Sequence, residues 1–201
     1  MAEDSTQPPQ ATRYIETTRG ILSYSELAPL LAERVLKVQQ DIEDRFFGSR
    51  TLDESLLLAF HSAICEDLTP GWAGRFRNTD VRVGEHQPPS PSQVPQLIRD
   101  YFADLNARLA ALDGTTDPLL LELLAFAEGR LLSIHPFADF NGRVTRLLLA
   151  ELLRRLELPA VELAPVSPAN RGRLLGALRA ADKLDWQPLI AFWEDRVKAA
   201  L

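Results

Sequence analysis

The sequence predicts an all-α fold, a helical bundle that carries one small β-hairpin flap. Apolar residues recur at intervals of three and four through most of the chain, which is the spacing of one helix face. Residues that end or begin helices separate these stretches, among them Gly48, Gly114 and the pair Asp117-Pro118. Only residues 75–83 alternate loosely between apolar and polar side chains, as a strand does. We therefore expect helices in the body of the protein and strands only in its flap.

The chain is expected to begin with a disordered tail and to continue as one domain. Residues 1–13 are polar and contain proline, so they have little apolar surface to bury. Residues 14–201 have the length of a single domain with a full core. The first helix is predicted from Ser25 to Gly48, and its inward-facing residues are Leu27, Leu31, Val35, Val38, Ile42 and Phe46.

A second helix is predicted between Asp53 and Asp67, with Leu56, Leu57, Phe60, Ile64 and Leu68 inward. Residues 69–74 are rich in turn formers and lead into the flap, and residues 87–91 form a Pro-rich link after it. A third helix follows Ser92. Its apolar stripe consists of Val94, Leu97, Ile98, Tyr101, Phe102, Leu105 and Leu109.

The fourth predicted helix is the central one, because it is apolar nearly all round. It follows Asp117-Pro118, a cap with proline at the first helical position, and it ends at His135. After a break at residues 136–140, a fifth helix runs from about Asn141 to Leu156. Two more helices are predicted, one from about Ser167 and one from Asp185, the last with Leu189, Ile190, Trp193 and Val197 inward.

Composition and charge exclude several classes of protein. The chain has 201 residues, a formal charge of −6 and a pI near 5.1, so a broad nucleic-acid surface, which needs clustered cations, is not expected. The most apolar stretch, residues 119–134, contains three charged residues and is shorter than a membrane span. Residues 1–10 lack the cationic start and apolar middle of a signal peptide. We expect a cytoplasmic protein that binds neither membranes nor nucleic acid.

The start of the fifth helix has the features of a phosphate site. Backbone N–H groups in a first helical turn are unpaired and accept phosphate, and Gly142 lets an anion approach them closely. Asn141 precedes this glycine and is a residue type that caps helices. Arg143 and Arg146 are three residues apart, hence neighbours on one helix face, where two guanidiniums suit a polyphosphate.

Two residues just before this helix supply the chemistry that a phosphate site needs. Asp139 is the acidic residue of the loop, and Mg²⁺ typically takes one or two carboxylates together with phosphate oxygens and water. His135 titrates near neutrality and can take the proton from an attacking hydroxyl. Together these groups predict phosphoryl-group transfer, in which positioning and charge stabilisation supply most of the catalysis.

The segment His135-Pro-Phe-Ala-Asp-Phe-Asn-Gly-Arg-Val-Thr-Arg146 resembles the signature of the Fic/Doc family, His-Pro-Phe-x-Asp/Glu-Gly-Asn-Gly-Arg-x-x-Arg. Its named positions match except one, where Phe140 replaces the first glycine of the family. That family also has a Gly-x-x-Arg turn that opens a flap and a Pro-rich link, and residues 71–75, 81–83 and 87–91 stand in that order. With similar last two helices at residues 177–189, the resemblance covers roughly residues 50–195.

The resemblance implies a Fic-type bundle and a protein adenylyltransferase that moves AMP from ATP to a Ser, Thr or Tyr hydroxyl of a target protein. It implies that His135 is the general base and that Asp139 holds Mg²⁺. Nucleotide contacts would come from Phe140, Asn141, Gly142, Arg143 and Arg146. The target segment would pair with the flap between Arg75 and Gly84 by strand addition.

Two departures from the family keep other functions open. The bulky ring of Phe140 stands beside the anion loop, and Leu174 and Leu175 occupy positions where many relatives carry aromatic residues. The same fold with another donor, for UMP, phosphocholine or phosphate transfer, is therefore one alternative. A catalytically silent interaction module is the other, although a decayed site has no reason to keep His135, Asp139 and Arg143.

Regulation is expected to come from outside the chain. Many family members are inhibited by a helix with Ser/Thr-x-x-x-Glu-Gly/Asn, whereas here the only Glu before Gly or Asn is Glu128, with Leu124 four residues earlier. We therefore expect a separate, antitoxin-like inhibitory chain. Glu122 and Glu128 need partners if buried. Of the remaining histidines, His61 is expected in the core or at its rim and His86 at the polar end of the flap.

Overall fold

The structure, a computed structural model, describes residues 14–114 and 119–200. Its elements, in chain order, are β1 (Tyr14–Thr17), β2 (Gly20–Ser23), α1 (Tyr24–Glu43), α2 (Glu54–Cys65), a 3₁₀ turn (Pro91–Gln93), α3 (Val94–Ala111), α4 (Leu119–Ile134), α5 (Asn141–Arg155), α6 (Pro168–Ala181) and α7 (Gln187–Ala200). The predicted all-α bundle with a small hairpin is confirmed. The predicted tail at residues 1–13 and the cap Asp117-Pro118 lie outside the described residues.

The hairpin lies at a different place from the one predicted. β1 and β2 pair antiparallel at the start of the described chain, with Ile15 opposite Leu22. The turn between them uses Gly20 at φ +99°, a left-handed conformation that glycine adopts without strain. In the expected flap, the described strand pairing is a single bridge between Val83 and His86. The prediction of strands at residues 75–83 is therefore wrong, because other parts of the protein use the backbone groups of that segment, as described below.

Helix α1 follows the hairpin directly, and its start is fixed by a capping box. The Ser23 hydroxyl accepts from the backbone N–H of Glu26, and the Glu26 carboxylate accepts from the backbone N–H of Ser23 at 2.7 Å. The helix ends at Glu43, earlier than predicted, so the helical spacing does not extend to Phe46. That residue, expected inward, is 73% exposed, and Phe47 is buried in its place.

Helix α4 is the centre of the bundle, as predicted, and it packs against α3, α5, α6 and α7. Gly129 lies close to the start of α7, since an added Cβ there would lie 2.8 Å from Trp186 and 2.9 Å from Leu189. One turn of α4 also holds the buried carboxylate of Glu128, which accepts from Arg196 Nη1 of α7 at 2.7 Å. Glu128 thus has the structural partner that its burial requires.

Helix α5 lies against α1, α2 and α4, and the loop that connects α4 to α5 carries the predicted site. The inward residues predicted for α2 are all fully buried, and they form one side of the core beneath this loop. Among the described residues, no helix combines the length and the apolarity that crossing a membrane would require.

Candidate active site

The loop of residues 135–140 reverses the chain between the two most buried helices, and its two ends share an unusual backbone conformation. His135 has φ +51° and Phe140 has φ +62°, both left-handed. The side chain of Asn141 closes the loop from inside, because its Oδ1 accepts from the backbone N–H of Phe137 at 2.9 Å and its Nδ2 donates to the carbonyl of the same residue at 2.9 Å. The carboxamide of Asn141 therefore shapes the loop.

Arg77 anchors the same loop from the flap segment, and sequence reasoning missed it. The residue is 4% exposed, and its Nε donates to the carbonyl of His135 at 2.8 Å. Its Nη1 donates to the carbonyl of Thr79 at 3.0 Å, its Nη2 donates to that of Pro89, and its backbone N–H donates to Pro136 at 2.9 Å. Because the backbone N–H and the side chain of Arg77 bond to the loop and to nearby carbonyls, this segment does not form a ladder of strand hydrogen bonds.

A sequence signal for Arg77 was present. The spacing Gly-x-x-Arg fits Gly74-Arg-Phe-Arg77, whereas the prediction used the neighbouring Arg75. Arg75 is exposed, and its described hydrogen bond is a 3.4 Å contact with the carbonyl of Gly71. Two arginines two residues apart thus have different roles, and the Gly-x-x-Arg spacing counted from Gly74 indicates Arg77.

His135, the predicted base, is the first residue after α4. Its backbone N–H continues the helix by donating to the carbonyl of Leu131 at 3.1 Å, while its own carbonyl is held by Arg77. The residue is half-buried, and its backbone is fixed on both sides. A fixed backbone helps to hold a general base in one position relative to the group it deprotonates.

Asp139, the predicted metal ligand, is 8% exposed, and its Oδ1 accepts from the backbone N–H of Phe140 at 2.7 Å. In the described parts of the chain, no group of three or more His, Cys, Asp and Glu residues is arranged to hold a metal. A protein site for zinc or calcium needs several such ligands, whereas Mg²⁺ is often bound by a single carboxylate plus phosphate oxygens and water. The donor set therefore fits Mg²⁺ carried on a nucleotide.

The predicted phosphate residues lie together in the first turns of α5. Gly142, Arg143 and Arg146 are half-buried, at the end of the helix where N–H groups and the positive end of the dipole favour anions. Arg143 is held by α1, since its Nη1 donates to the hydroxyl of Tyr24, whose ring centroid is 5.3 Å from the guanidinium carbon. Sequence reasoning missed Tyr24, which lies 119 residues away along the chain.

Phe140, where the family has glycine, is accommodated without exposing its ring. The residue is 3% exposed, and its ring centroid lies 5.5 Å from that of Trp72 and 6.4 Å from that of His61. Its left-handed φ explains why glycine suits this position, since a non-glycine residue there carries strain of about 1–2 kcal/mol. The ring packs into the layer between α2 and the turn before the flap, so it is not exposed at the start of α5.

The flap is tied to the bundle at its end. His86 Nε2 lies 2.9 Å from the carbonyl of Ser133 in α4, and its Nδ1 lies 3.6 Å from the carboxylate of Asp182, which caps α6. The bridge between Val83 and His86 closes the turn before it. His86 thus has a structural role, and the exposed residues of the flap include residues 78–80, Arg82 and Gly84.

Comparison with known proteins identifies relatives of this chain. The sequence model of the Fic/DOC family matches residues 51–153. Protein adenylyltransferase Fic of Culex quinquefasciatus is 33% identical over 145 residues, which are 72% of this chain and 27% of that protein. Protein adenylyltransferase fic-1 of Caenorhabditis elegans gives the same three percentages. The chain thus spans about a quarter of the length of these curated relatives.

Solved structures share the fold. Fic-1 of Caenorhabditis elegans superimposes with a TM-score of 0.66 at 27% identity, covering 85% of this chain and 48% of that chain. BepC of Bartonella tribocorum, solved with bound AMPPNP, gives a TM-score of 0.74 at 18% identity and covers 93% of both chains. These likenesses confirm the predicted Fic-type bundle. With its signature segment on the loop between α4 and α5 and a family match over more than half of its length, the chain belongs to the Fic/DOC family.

Proposed function

We propose that this protein is an adenylyltransferase that moves AMP from ATP to a Ser, Thr or Tyr hydroxyl of a target protein. One observation carries the proposal: a histidine, a carboxylate and two arginines occupy one short loop and the phosphate-accepting start of the helix after it. The relatives that are 33% identical are named protein adenylyltransferases, which supports the same reaction.

The reaction assigns a separate task to each residue. His135 takes the proton of the target hydroxyl as its oxygen attacks the α-phosphorus of ATP. The bond from the α-phosphorus to the bridging oxygen breaks, and pyrophosphate leaves with the electron pair. Arg143 and Arg146 stabilise the charge that develops on the outer phosphates.

The remaining residues of the site hold the nucleotide in position. Gly142 and the free N–H groups of the α5 start cradle the phosphates, while Asn141 and Phe140 maintain the loop that presents them. Asp139 would hold Mg²⁺, which when bound neutralises phosphate charge and orients the chain of phosphates. The carboxylate keeps its orientation through the 2.7 Å bond from the backbone N–H of Phe140.

The target would bind along the flap between Arg75 and Gly84, where residues 78–80 are exposed. Pairing through the backbone accepts varied side chains, which suits a modification of several proteins. We place the reaction in the cytoplasm, which supplies ATP and Mg²⁺. Restraint would come from a separate antitoxin-like chain, because Glu128, the one Glu before a glycine in the chain, is paired with Arg196.

A labelling experiment tests the proposal. Wild-type protein incubated with α-labelled ATP, Mg²⁺ and cell lysate should label proteins, and His135→Ala should lower the labelling rate by about 10²- to 10⁴-fold, the contribution of a general base. The control is Arg99→Ala, an exposed arginine of α3 outside the proposed site, which should keep most of the rate. Equal labelling by wild type and His135→Ala would overturn the mechanism, and a folded wild type that binds no nucleotide would leave an interaction module.

Another donor is the second candidate, and the α6 surface favours it. Leu174 and Leu175 offer an apolar surface without an aromatic ring for stacking on adenine. Transfer of UMP, phosphocholine or phosphate would use the same base, His135, and the same phosphate-binding arginines, Arg143 and Arg146. A thermal-shift screen over ATP, UTP, CDP-choline and inorganic phosphate discriminates, since only a ligand that binds the folded state raises its stability.

A further inference from the structure

The guanidinium of Arg143 lies close to two aromatic rings. Its central carbon, Cζ, is 5.3 Å from the ring centroid of Tyr24 and 6.0 Å from that of Phe140. Tyr24 is the first residue of α1, and Phe140 is the residue at the cap of α5. The electron-rich face of an aromatic ring attracts a cation within about 6 Å of its centroid. The residue that departs from the family signature is therefore a ring neighbour of a predicted phosphate ligand.

The ring of Phe140 is held in one place by the core. The residue is 3% exposed, and its ring plane is tilted by 32° from that of Trp72 and by 34° from that of His61. Its backbone is bonded on both sides, since its N–H donates to Asp139 Oδ1 at 2.7 Å and its carbonyl accepts from the N–H of Val144 at 3.1 Å. Packing of this density fixes side-chain χ angles. The ring is therefore a rigid, buried surface next to the start of α5.

A ring contact and a hydrogen bond restrain a guanidinium in different ways. The five N–H groups of arginine form a planar fork, and each of them can donate to a phosphate oxygen. The Nη1 of Arg143 donates to the hydroxyl of Tyr24. The contact with Phe140 acts on the positive charge and needs no N–H group. It therefore restrains the guanidinium without using a donor that phosphate would take.

The family glycine could not provide this contact. Phe140 and Arg143 are three residues apart, the spacing at which side chains on one face of a helix meet. Glycine at residue 140 would relieve the left-handed φ of +62°, but it has no ring to place beside the guanidinium. The phenylalanine thus exchanges backbone freedom for a surface that Arg143 contacts.

We propose that Phe140 is a positioning residue, whose ring and the hydroxyl of Tyr24 together hold the guanidinium of Arg143 where it meets the outer phosphates of the donor. The inference rests on the proposed function and gives the departure from the family signature a part in donor binding. A ring that only filled space could be replaced by another apolar side chain without consequence for Arg143. A ring that acts through Arg143 matters only for donors with phosphates beyond the first.

Calorimetry with ATP and with AMP tests the inference, since AMP lacks the phosphates that Arg143 would contact. Phe140→Leu keeps a large apolar side chain and removes the aromatic face. We expect its affinity for ATP to fall about fivefold, the worth of one cation–π contact, and its affinity for AMP to stay within about twofold of the wild type. In Arg143→Ala the same substitution should cause no further loss of ATP affinity. Equal losses for ATP and AMP, or a loss that persists without Arg143, would overturn the inference.

Phe140→Gly is a second test, because it restores the family residue and relieves the backbone. It should also lower the affinity for ATP about fivefold, and a gain would overturn the inference, since the ring would then hinder the donor. The matched control is Phe47→Leu, which removes a buried ring that packs on Phe60 at 5.0 Å. The carbonyl of Phe47 accepts from Arg155, the last residue of α5, at the opposite end of that helix from the site. This variant should bind ATP as the wild type does.

Fluorinated phenylalanines keep the inference testable if Phe140→Leu does not fold. Fluorine withdraws electron density from the ring face, which weakens its attraction for a cation, and it changes the shape of the ring little. With one, two and three fluorines introduced at residue 140 by nonsense suppression, ATP affinity should fall in steps, to about fivefold in total, while AMP affinity stays constant. An ATP affinity that does not depend on fluorination would overturn the inference and leave the proposed function standing. A wild type that binds no ATP would overturn both.

Discussion

Arg77 and Arg143 lie on two sides of the same loop, and they have different partners. Arg77 is 4% exposed and donates to the backbone carbonyls of His135, Thr79 and Pro89. Arg143 is half-buried at the start of α5, where it donates to the hydroxyl of Tyr24 beside the phosphate-accepting N–H groups. A guanidinium bonded on all sides by the backbone stabilises a loop, whereas one held by a neutral hydroxyl still has donors for an anion.

Replacing Arg77 by leucine should give the largest effect on stability. The change removes the four hydrogen bonds of a charged side chain and leaves partly or fully buried carbonyls without that donor, so the free energy of unfolding should fall by about 4 kcal/mol. Urea denaturation followed by far-UV circular dichroism measures it. The matched control is Arg75→Leu, an exposed neighbour, for which the change should stay within about 0.5 kcal/mol. Equal losses in the two variants would contradict the anchoring role of Arg77.

Acid should lower the stability contributed by His61, a buried residue of α2 whose ring stacks on Phe137 of the same loop. The pKa of His61 is lowered to about 4 by burial, below the ordinary 6.5, so between these pH values the unfolded chain binds a proton that the folded one does not. The stability that the neutral ring contributes is present above pH 6.5 and is lost as the pH falls towards 4, by about 3 kcal/mol.

Urea midpoints measured in steps from pH 7.5 to pH 4 would record this loss. His61→Gln, which does not titrate, is the control, and the difference between its curve and that of the wild type isolates the histidine. Parallel curves for the two proteins would show that His61 does not account for the acid sensitivity.

Arg143→Ala should show the opposite pattern to Arg77→Leu. ATP affinity should fall about thirtyfold, because a charge-assisted contact to phosphate is worth about 2 kcal/mol. The free energy of unfolding should change by no more than about 0.5 kcal/mol, since the residue is half-buried and its protein partner is a neutral hydroxyl. Calorimetry with ATP measures the first quantity, and urea denaturation measures the second. Arg179→Ala, an exposed arginine of α6, is the control that should bind ATP normally.

Tyr24→Phe should give the smallest effect. It removes the hydroxyl that accepts from Arg143 and keeps the ring at 5.3 Å, so only the orientation of the guanidinium changes. We expect ATP affinity to fall about fivefold, the worth of one neutral hydrogen bond. In Arg143→Ala the same substitution should have no further effect, and a double-mutant cycle measures this coupling. Additive losses would show that Tyr24 does not act through Arg143.

The sequence predicts the helices well because their signals are local. Spacing of apolar residues places the inward faces of α2 and α3, and the caps at Asp53 and Ser167 fix two helix starts. The prediction that Phe46 faces inward is wrong, although it rests on the same local spacing. The predicted spacing assumes that α1 continues beyond Glu43, and once the helix ends the phase of the pattern no longer determines which side is inward.

Residues whose partners are distant in sequence could not be predicted in the same way. The site segment is contiguous, so its members are found together from the sequence. The bonds from Arg77 to His135 and from Arg143 to Tyr24 span 58 and 119 residues, and nothing local signals them. The same cause explains the flap, where loose alternation predicts strands but Arg77 diverts the backbone to Pro136. Asn141 was found as a residue, while its bonds to Phe137 needed coordinates.

The left-handed backbone of His135 places activity and stability in opposition at one residue. Its φ of +51° is a conformation that glycine adopts freely and that most other residues adopt at a cost of about 1 kcal/mol or more. His135→Gly would therefore give an inactive protein whose fold is under less local strain. A substitution that relieves this strain would thus remove the proposed general base, so stability and activity cannot both be optimised at residue 135.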